Sequence, residues 1–218
     1  MGRIIGVVNQ KGGVGKTTIA VHLAYWLSNN SSVNVIDSDV QQSSSTWLTE
    51  LNLPCQVCND PEDLFDLIEQ VANKYETVVI DGPAGLSEIT KTILSLSDLA
   101  LIPCKPSGLD THSSTRILRM LGQTQKIRNG KPYGALVLNQ AVKGTVLLRE
   151  ARQLFGAGVV PLLNTTIYNR QIISDAPGQG LTVWQASSSA AKQATKDFES
   201  LFKEALELCN HDETKILK

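Results

Sequence analysis

A glycine-rich segment at residues 11–18 restricts what this chain can fold into more than any other part of its sequence. It follows an apolar run at residues 4–8, which is typical of a buried strand, and it precedes a helical pattern of apolar residues through Ile19, Leu23 and Leu27. Glycine lets backbone N–H groups crowd around phosphate oxygens, and the start of a helix adds the positive end of its dipole. The order of strand, loop and helix therefore predicts a phosphate-binding loop.

Several residues of this loop have a predicted role in binding a nucleotide. In this interpretation Lys16 bridges the outer phosphates, and the hydroxyl of Thr17 is a ligand of Mg²⁺. The commonest form of the motif has a glycine five residues before Gly15, where this chain has Gln10, and the chain carries an additional lysine, Lys11. Lys11 cannot easily turn onto the phosphates of its own loop, so it is free to reach the nucleotide of another subunit. The predicted nucleotide-binding residues of the loop are Gly12, Gly13, Val14, Gly15, Lys16, Thr17 and Thr18.

The pair of lysines makes this loop resemble the deviant Walker A motif of the ParA/MinD family of ATPases. The resemblance implies ATP and Mg²⁺ as cofactors. It also implies a homodimer that forms as a nucleotide sandwich when ATP binds and that separates after hydrolysis. Lys16 and Lys11 would both be catalytic, with Lys11 acting across the dimer in the manner of an arginine finger.

Carboxylates follow two further predicted strands, at the edge of a sheet where ligands bind. Residues 33–41 resemble the Asp-x-Asp-Pro-Gln segment of the family, with Val40 in place of proline. By that match Asp39 positions or activates the attacking water, and Asp37 supports the metal or its waters. Asp81 ends a run of four β-branched residues and is expected to contact Mg²⁺ through water. The alternatives are that Asp39 caps the next helix and that Asp81 only forms a turn with Gly82.

Asn139 lies at the end of another predicted strand and is a candidate for contacting the base of the nucleotide. An amide both donates and accepts hydrogen bonds, so it can read the edge of an adenine ring. Similarity to relatives of the family supports this role. A structural role, in which Asn139 caps a loop, is the alternative.

The alternation of apolar strands with amphipathic helices predicts an α/β fold. We expect a mostly parallel, doubly wound sheet with helices on both faces, as in P-loop NTPases. The 218 residues show no linker or internal repeat, so residues 1–218 are predicted to be a single ParA-like ATPase domain. The predicted strands are 3–8, 33–37, 77–81, 98–103, 134–138 and 158–162. The predicted helices are 17–28, 44–51, 61–73, 87–95, 110–127, 145–155 and 188–208.

Charge is distributed unevenly along the chain, although the net charge is only −1. Residues 1–98 carry a net charge of −7, whereas residues 99–174 carry +8. Such segregation can create a positive face that binds DNA phosphates without sequence specificity. Arg149, Arg152 and Arg170 are the predicted DNA contacts, and ordinary solvated helix faces are the alternative.

Together these features predict a positioning ATPase of the short ParA type. The first strand begins so early that no N-terminal helix-turn-helix is expected, and the absence of a leader or a long apolar run favours the cytoplasm. We expect ATP-bound dimers to associate with the nucleoid, and a cargo-associated adaptor protein to stimulate hydrolysis and release them. No residue distinguishes a plasmid or chromosome cargo from a protein body such as the carboxysome.

Two other functions are possible on the same resemblance. A membrane-associated MinD-like ATPase would need a basic amphipathic C-terminal helix, but the polar face of the last helical pattern is acidic, so no membrane partner is expected. A metabolic enzyme, of the kind that carries out cobyrinic acid amidation or dethiobiotin synthesis, would not need Lys11 to act across a dimer.

Overall fold

Seven parallel strands form one sheet in the computed structural model of the chain, which describes residues 1–107 and 110–213. The strands are β1 (Arg3–Asn9), β2 (Val33–Asp37), β3 (Cys55–Val57), β4 (Thr77–Ala84), β5 (Leu99–Cys104), β6 (Tyr133–Ala141) and β7 (Leu162–Tyr168). The helices are α1 (Lys16–Ser28), α2 (Ser43–Glu50), α3 (Pro61–Ala72), α4 (Glu88–Leu96), α5 (Asp110–Ile127), α6 (Val146–Gly156), α7 (Gln171–Asp175) and α8 (Ser189–Glu213). Short 3₁₀ turns at Pro177–Gln179 and Val183–Gln185 lie between α7 and α8. Within the described ranges, no helix combines the length and the apolar character needed to cross a membrane.

Apolar side chains alternate between the two faces of the sheet, as the two-residue period of a strand requires. In β1, Ile5 and Val7 belong to one buried core, whereas Ile4 and Val8 belong to the other. Helices α1, α2 and α8 pack on the first face, and α3, α4, α5 and α6 pack on the second. The predicted parallel sheet with helices on both faces is therefore confirmed, and the central strands carry apolar residues on both sides because both faces are buried.

Strand β1 lies in the middle of the sheet, whose order is β3-β2-β4-β1-β5-β6-β7. The register places Val7 of β1 beside Asp81 of β4, and Asp81 beside Asp37 of β2. The carboxyl ends of β2, β4 and β1 are thus neighbours, while β5 pairs with the other side of β1. Ligands of open parallel sheets bind at the carboxyl ends of the strands, close to the strand where the strand order reverses. The fold brings the glycine-rich loop and the two acidic strand ends to that position.

The last strand predicted from the sequence is wrong in position. The prediction placed it at residues 158–162, whereas β7 spans Leu162–Tyr168. Val159 is fully exposed, and Pro161 has no N–H group, so only its carbonyl joins the sheet by accepting the N–H of Leu136 at 2.9 Å. The sequence pattern also misses β3 and α7, because three and five residues are too few to show a period.

Strand β7 lies at one edge of the sheet, and a side chain of α8 covers part of its backbone. The carboxylate of Glu204 accepts the N–H groups of Asn164, at 2.5 Å, and of Thr165, at 3.0 Å. The pairing of β7 with β6 is irregular around these two residues. Glu204 therefore binds backbone donors that the regular ladder does not use.

A pair of stacked rings joins α8 to α1. The ring of Phe198 stacks on that of His22 with a centroid distance of 4.3 Å and an angle of 12° between the planes. Nδ1 of His22 donates to the carbonyl of Thr18 at 2.7 Å, and Nε2 accepts the N–H of Val183 at 3.4 Å. Burial lowers the pKa of His22 to about 4, so the ring is neutral near pH 7 and serves as a structural link.

Candidate nucleotide-binding site

The glycine-rich loop connects the end of β1 to the start of α1. Gly13 and Gly15 have φ angles of 72° and 89°, a left-handed conformation that favours glycine. A Cβ atom at Gly15 would also collide with the side-chain amide of Asn139. Helix α1 begins at Lys16, and Gly15 has no side chain with which to cap it. The first N–H groups of α1 and its dipole therefore form a site suited to an anion.

The side chain of Lys16 lies across this loop and is largely buried. It is 6% exposed, and its Nζ donates to the carbonyl of Lys11 at 3.4 Å. Burial lowers the pKa of Lys16, while the negative charges of Asp81 and Asp39 act in the opposite direction. Lys16 is thus brought close to two of the acids that the sequence assigned to the site. Lys11 itself is half-buried, and its backbone N–H donates to Oδ1 of Asn9 at 3.2 Å.

Asp81 and Thr17 are in direct contact. The hydroxyl of Thr17 donates to Oδ2 of Asp81 at 2.7 Å, and Asp81 is only 1% exposed. Burial raises the pKa of Asp81 to about 7; the nearby charge of Asp37 also raises it, whereas the hydrogen bond from Thr17 and the charge of Lys16 lower it. The site thus contains a carboxyl group that binds a proton more readily than an ordinary aspartate, and a nearby cation would oppose this effect.

The two acids after β2 differ in what they contact. Asp37 is fully buried and accepts the N–H groups of Asp39, at 3.1 Å, and of Ser45, at 2.8 Å. Asp37, rather than Asp39, therefore binds the first turn of α2. Asp39 is half-buried, and its Oδ1 accepts the N–H of Gln41 at 3.0 Å. Its carboxylate remains near enough to Lys16 to affect the pKa of that lysine.

Three buried oxygen atoms next to these acids suit a divalent cation. Oγ of Ser38 has no hydrogen-bond partner in the part of the chain that the structure describes, and the side chains of Asp81 and Ser44 interact while Oδ1 of Asp81 and Oγ of Ser44 form no hydrogen bond of regular geometry. The same part has no cluster of three or more His, Cys, Asp or Glu side chains that could hold a metal by itself. Mg²⁺ prefers oxygen ligands and commonly takes only one or two carboxylates, with phosphate and water completing its shell. Thr17 and Asp81, with Asp37 behind them, therefore fit a Mg²⁺ ion that also binds a phosphate.

A cavity of about 280 Å³ adjoins the glycine-rich loop. Residues from α1, from the end of β6 and from the segment after β7 line it, including Thr18, Asn139, Gln140, Asn169, Arg170, Ile173 and Pro177. Its position beside the start of α1 leaves room for the part of a nucleotide that follows the phosphates.

Asn139 is placed against the loop as well as the cavity. It is 2% exposed, and its Nδ2 donates to the carbonyl of Val14 at 2.7 Å. The next residue, Gln140, donates through Nε2 to the carbonyl of Gly13 at 3.0 Å. Both amides thus hold the loop in shape. A contact between Asn139 and adenine stays a prediction.

The three arginines predicted to contact DNA have different surroundings. Arg149 is exposed on α6. Arg152 donates to the carbonyl of Asn164 at 3.0 Å and to the hydroxyl of Thr166 at 2.6 Å. Arg170 forms an ion pair of 2.7 Å with Asp197. DNA contact stays a prediction for all three, and it is easiest to reconcile with the position of Arg149.

Sequence reasoning missed two parts of this site. It did not select Gln140, although an Asn-Gln pair at the end of a strand is a signal for side chains that can reach a neighbouring loop. It also missed the cavity wall after β7, because that wall depends on contacts with α8 that no local pattern shows. The remaining predicted residues of the loop and of the strands β2 and β4 lie together at one edge of the sheet.

Comparison with other proteins gives three similarities. The chain is 29% identical over 197 residues to the "Maintenance of carboxysome distribution protein A" of Halothiobacillus neapolitanus, covering 87% of this chain and 90% of the relative. Its structure is similar to that of Cyanothece McdA in complex with ATP, with a TM-score of 0.75, 16% identity and coverage of 94% and 96% of the two chains. It is also similar to MinD of Pyrococcus horikoshii complexed with Mg-ADP, with a TM-score of 0.73, 23% identity and the same coverage. The two structural similarities show a shared fold.

The sequence also matches a protein family over most of its length. Residues 5–183 match the family described as the CobQ/CobB/MinD/ParA nucleotide binding domain. The match includes the glycine-rich loop, the acidic ends of β2 and β4, and the residues that line the cavity. The chain therefore belongs to the CobQ/CobB/MinD/ParA nucleotide-binding domain family, as the resemblance of its loop predicted.

Proposed function

We propose that this protein is a Mg²⁺-dependent ATPase that dimerises when it binds ATP, associates with DNA without sequence specificity, and positions an intracellular cargo. The observation that carries this proposal is the arrangement of Lys16, Thr17 and Asp81 at the end of the central strands. The buried ammonium group of Lys16 and the hydroxyl of Thr17 lie at the start of α1, and the carboxylate of Asp81, at the end of β4, accepts the hydrogen bond of that hydroxyl. The other oxygen of this carboxylate forms no hydrogen bond of regular geometry among the described residues. This is the set of groups that phosphoryl transfer needs.

In this proposal each element of the site contacts one part of ATP. The N–H groups of the loop and Nζ of Lys16 bind the phosphates, and Thr17 and Asp81 hold the metal with support from Asp37. Mg²⁺, when bound, neutralises charge on the phosphates. The cavity of about 280 Å³ takes the ribose and base, with Asn139 in its wall as the candidate contact to the base.

Asp39 is the residue proposed to act on water. It is half-buried and close enough to Lys16 to raise the pKa of that lysine, and its carboxylate can accept a proton from a water molecule that attacks the outermost phosphorus. The bond from that phosphorus to the bridging oxygen breaks, which yields ADP and phosphate. Lys11, at the start of the loop, stabilises the charge that develops on the nucleotide of the second subunit.

The proposed DNA-binding surface comes from the basic part of the chain. Residues 99–174 carry a net charge of +8, and a symmetric dimer would present this charge twice. Arg149 is exposed within this region. Binding of this kind depends on phosphate contacts, so it weakens steeply as salt rises.

The proposed cargo follows from the relatives. One relative is named for the maintenance of carboxysome distribution, which favours a protein body over a plasmid or chromosome. An adaptor on the cargo would stimulate hydrolysis and release the dimers from the nucleoid. Repeated cycles of binding and release would then distribute the cargo within the cytoplasm.

The proposed dependence of DNA binding on ATP is tested by measuring how the purified protein binds DNA in the presence of different nucleotides. A random-sequence duplex is titrated without nucleotide, with ADP, with ATP, and with ATP and the Asp39→Ala variant. We expect binding only with ATP, longer-lived binding in the variant, and loss of binding in high salt. Equal binding with ADP and ATP would contradict the proposal.

Arg149→Ala should lower the slope of log affinity against log salt by about one, whereas Lys192→Ala, an exposed control on α8, should not.

A second experiment separates positioning from metabolic chemistry. Lys11→Ala should retain ATP binding but lose ATP-dependent dimerisation and adaptor-stimulated hydrolysis. Unchanged turnover in this variant would favour an enzyme that uses ATP on a small molecule. Pelleting with anionic liposomes in the presence of ATP would instead indicate a membrane-associated ATPase.

A further inference from the structure

Arg170 and Asp197 form an ion pair at the wall of the nucleotide cavity. Nη1 of Arg170 lies 2.7 Å from Oδ2 of Asp197, and the two side chains are only 13% and 15% exposed. Arg170 lines the cavity, whereas Asp197 belongs to α8. The pair therefore joins the cavity wall to a helix that packs on the face of the sheet.

The backbone around Arg170 carries other parts of the same wall. The carbonyl of Arg170 accepts the N–H groups of Ile173, at 3.0 Å, and of Ser174, at 3.2 Å. Ile173 and Ser174 both line the cavity, and Asn169, just before them, donates its N–H to the carbonyl of Ala141 at 2.9 Å. A shift of Arg170 would therefore move the residues that face the base and ribose.

Helix α8 is also linked to the part of the cavity wall that α1 forms, through the residue next to Asp197. Phe198 stacks on His22, and His22 donates to the carbonyl of Thr18, which lines the cavity from α1. Asp197 is itself held, because its Oδ1 accepts Nε2 of Gln193 at 3.0 Å. Two consecutive residues of one helix are thus linked to parts of the cavity wall that come from two different segments of the chain.

This arrangement is difficult to reconcile with Arg170 as a DNA contact. Its guanidinium group is paired with Asp197 and lies 5.6 Å from the centre of the Tyr168 ring. To reach a phosphate of DNA it would have to leave Asp197 as a shielded, uncompensated charge, which is unfavourable.

We propose that Arg170, held by Asp197, is a positioning residue for the nucleotide: it fixes the segment 169–177 against α8 so that the cavity keeps the shape that ATP requires. This inference rests on the proposed nucleotide site. Binding of ATP, rather than contact with DNA, depends on the pair. Asp197 is not among the residues that line the cavity, so its effect on the nucleotide passes through Arg170.

The test is a double-mutant cycle on nucleotide affinity. The dissociation constant of a fluorescent ATP analogue is measured with saturating Mg²⁺ for Arg170→Ala, Asp197→Ala and the double variant. We expect each single variant to bind on the order of tenfold more weakly, and the double variant to bind no more weakly than either, since one interaction is lost in all three. Lys192→Ala and Glu207→Ala remove exposed charges from the same helix and should bind like the wild type.

A general loss of structure is distinguished by a second measurement. Thermal unfolding without nucleotide is followed for every variant, and affinities are compared at a temperature where all of them are folded. Arg170→Lys keeps a cation beside Asp197, and it should recover part of the lost affinity. If Asp197→Ala is unfolded at every temperature, Asp197→Asn is used in its place, and the same weakening of nucleotide binding is expected.

The outcomes that would overturn the positioning role differ from those that would overturn the proposed function. Wild-type affinity in both single variants, or additive losses in the double variant, would overturn the role of the pair. So would an Arg170→Ala protein that binds nucleotide normally but no longer binds DNA. Failure of the wild-type protein itself to bind ATP, with Lys16→Ala as the reference for lost binding, would overturn the proposed function and this inference with it.

Discussion

The hydroxyl of Thr17 donates a hydrogen bond of 2.7 Å to Oδ2 of Asp81, which joins the first turn of α1 to the end of β4. These two residues are the most direct candidates for holding Mg²⁺, and the second oxygen of Asp81 is buried and forms no hydrogen bond of regular geometry in the described chain. We expect a metal to replace this hydrogen bond, because the hydroxyl of Thr17 can bind Mg²⁺ directly and the carboxylate of Asp81 can bind a water molecule of the metal.

Removing the hydroxyl of Thr17 should weaken nucleotide binding only when metal is present. We expect Thr17→Ala to bind ATP at least about tenfold more weakly with Mg²⁺, since a group that orders the metal is lost. Titrations with Mg²⁺ and with a chelator measure this difference. Thr17→Ser retains the hydroxyl and should bind like the wild type. An equal loss with and without Mg²⁺ would show that Thr17 does not act through the metal.

Asp81 should make the nucleotide-free protein less stable as pH rises. Its pKa is raised from 3.8 to about 7 in the folded chain, so folding favours the protonated carboxyl. The stability that this group contributes is therefore lost as pH rises from about 4 through about 7. In Asp81→Asn the side chain stays neutral. The free energy of unfolding of the variant should therefore rise relative to that of the wild type across this range. The difference should reach up to a few kcal/mol, since one pKa unit corresponds to about 1.4 kcal/mol.

Urea unfolding at several pH values, with a chelator and no nucleotide, measures this difference. If the gap between Asp81→Asn and the wild type does not change between about pH 4 and about pH 8, burial does not control the ionisation of Asp81.

A side chain at Gly15 should disturb the loop even without nucleotide. Gly15 has a φ of 89°, and a Cβ atom there would collide with Asn139. We expect Gly15→Ala to lower the free energy of unfolding by about 1–3 kcal/mol from backbone strain, with the collision adding to it. Gly12→Ala is the matched control, because its Cβ would meet only the Cβ of Ala84, at 3.9 Å. Similar losses in both variants, measured by urea unfolding, would contradict this explanation.

Phe198 should be among the side chains that contribute most to stability. It is fully buried and stacks on His22, so Phe198→Ala leaves a cavity between α8 and α1. The expected loss is about 3–5 kcal/mol in the free energy of unfolding. Phe65→Ala on α3, where the ring is 42% exposed, should cost about 1 kcal/mol or less. A small loss at Phe198 would mean that the two helices repack without the ring.

Local patterns were sufficient to predict a parallel sheet, apart from β3 and the position of β7, and to place the glycine-rich loop near Asp37, Asp39 and Asp81. Glycine spacing and apolar runs report the conformation of the residues that carry them, and parallel strands place their carboxyl ends together. The contact of Asn139 with Val14 could not be predicted in this way, because 125 residues separate the two partners. The same is true of Arg170, whose charge indicated DNA but whose position beside Asp197 depends on how α8 packs.

Glu204 has a consequence for how copies of this protein can associate. An exposed edge strand offers its N–H and C=O groups to any other chain in an extended conformation, which is a common route to aggregation. At Asn164 and Thr165 these N–H groups are already bound to a carboxylate, and the opposite edge, β3, is only three residues long. Both edge strands of the sheet are thereby protected from pairing with a strand of another chain. Permanent polymers that grow by pairing of backbones at the edges of the sheet are therefore disfavoured.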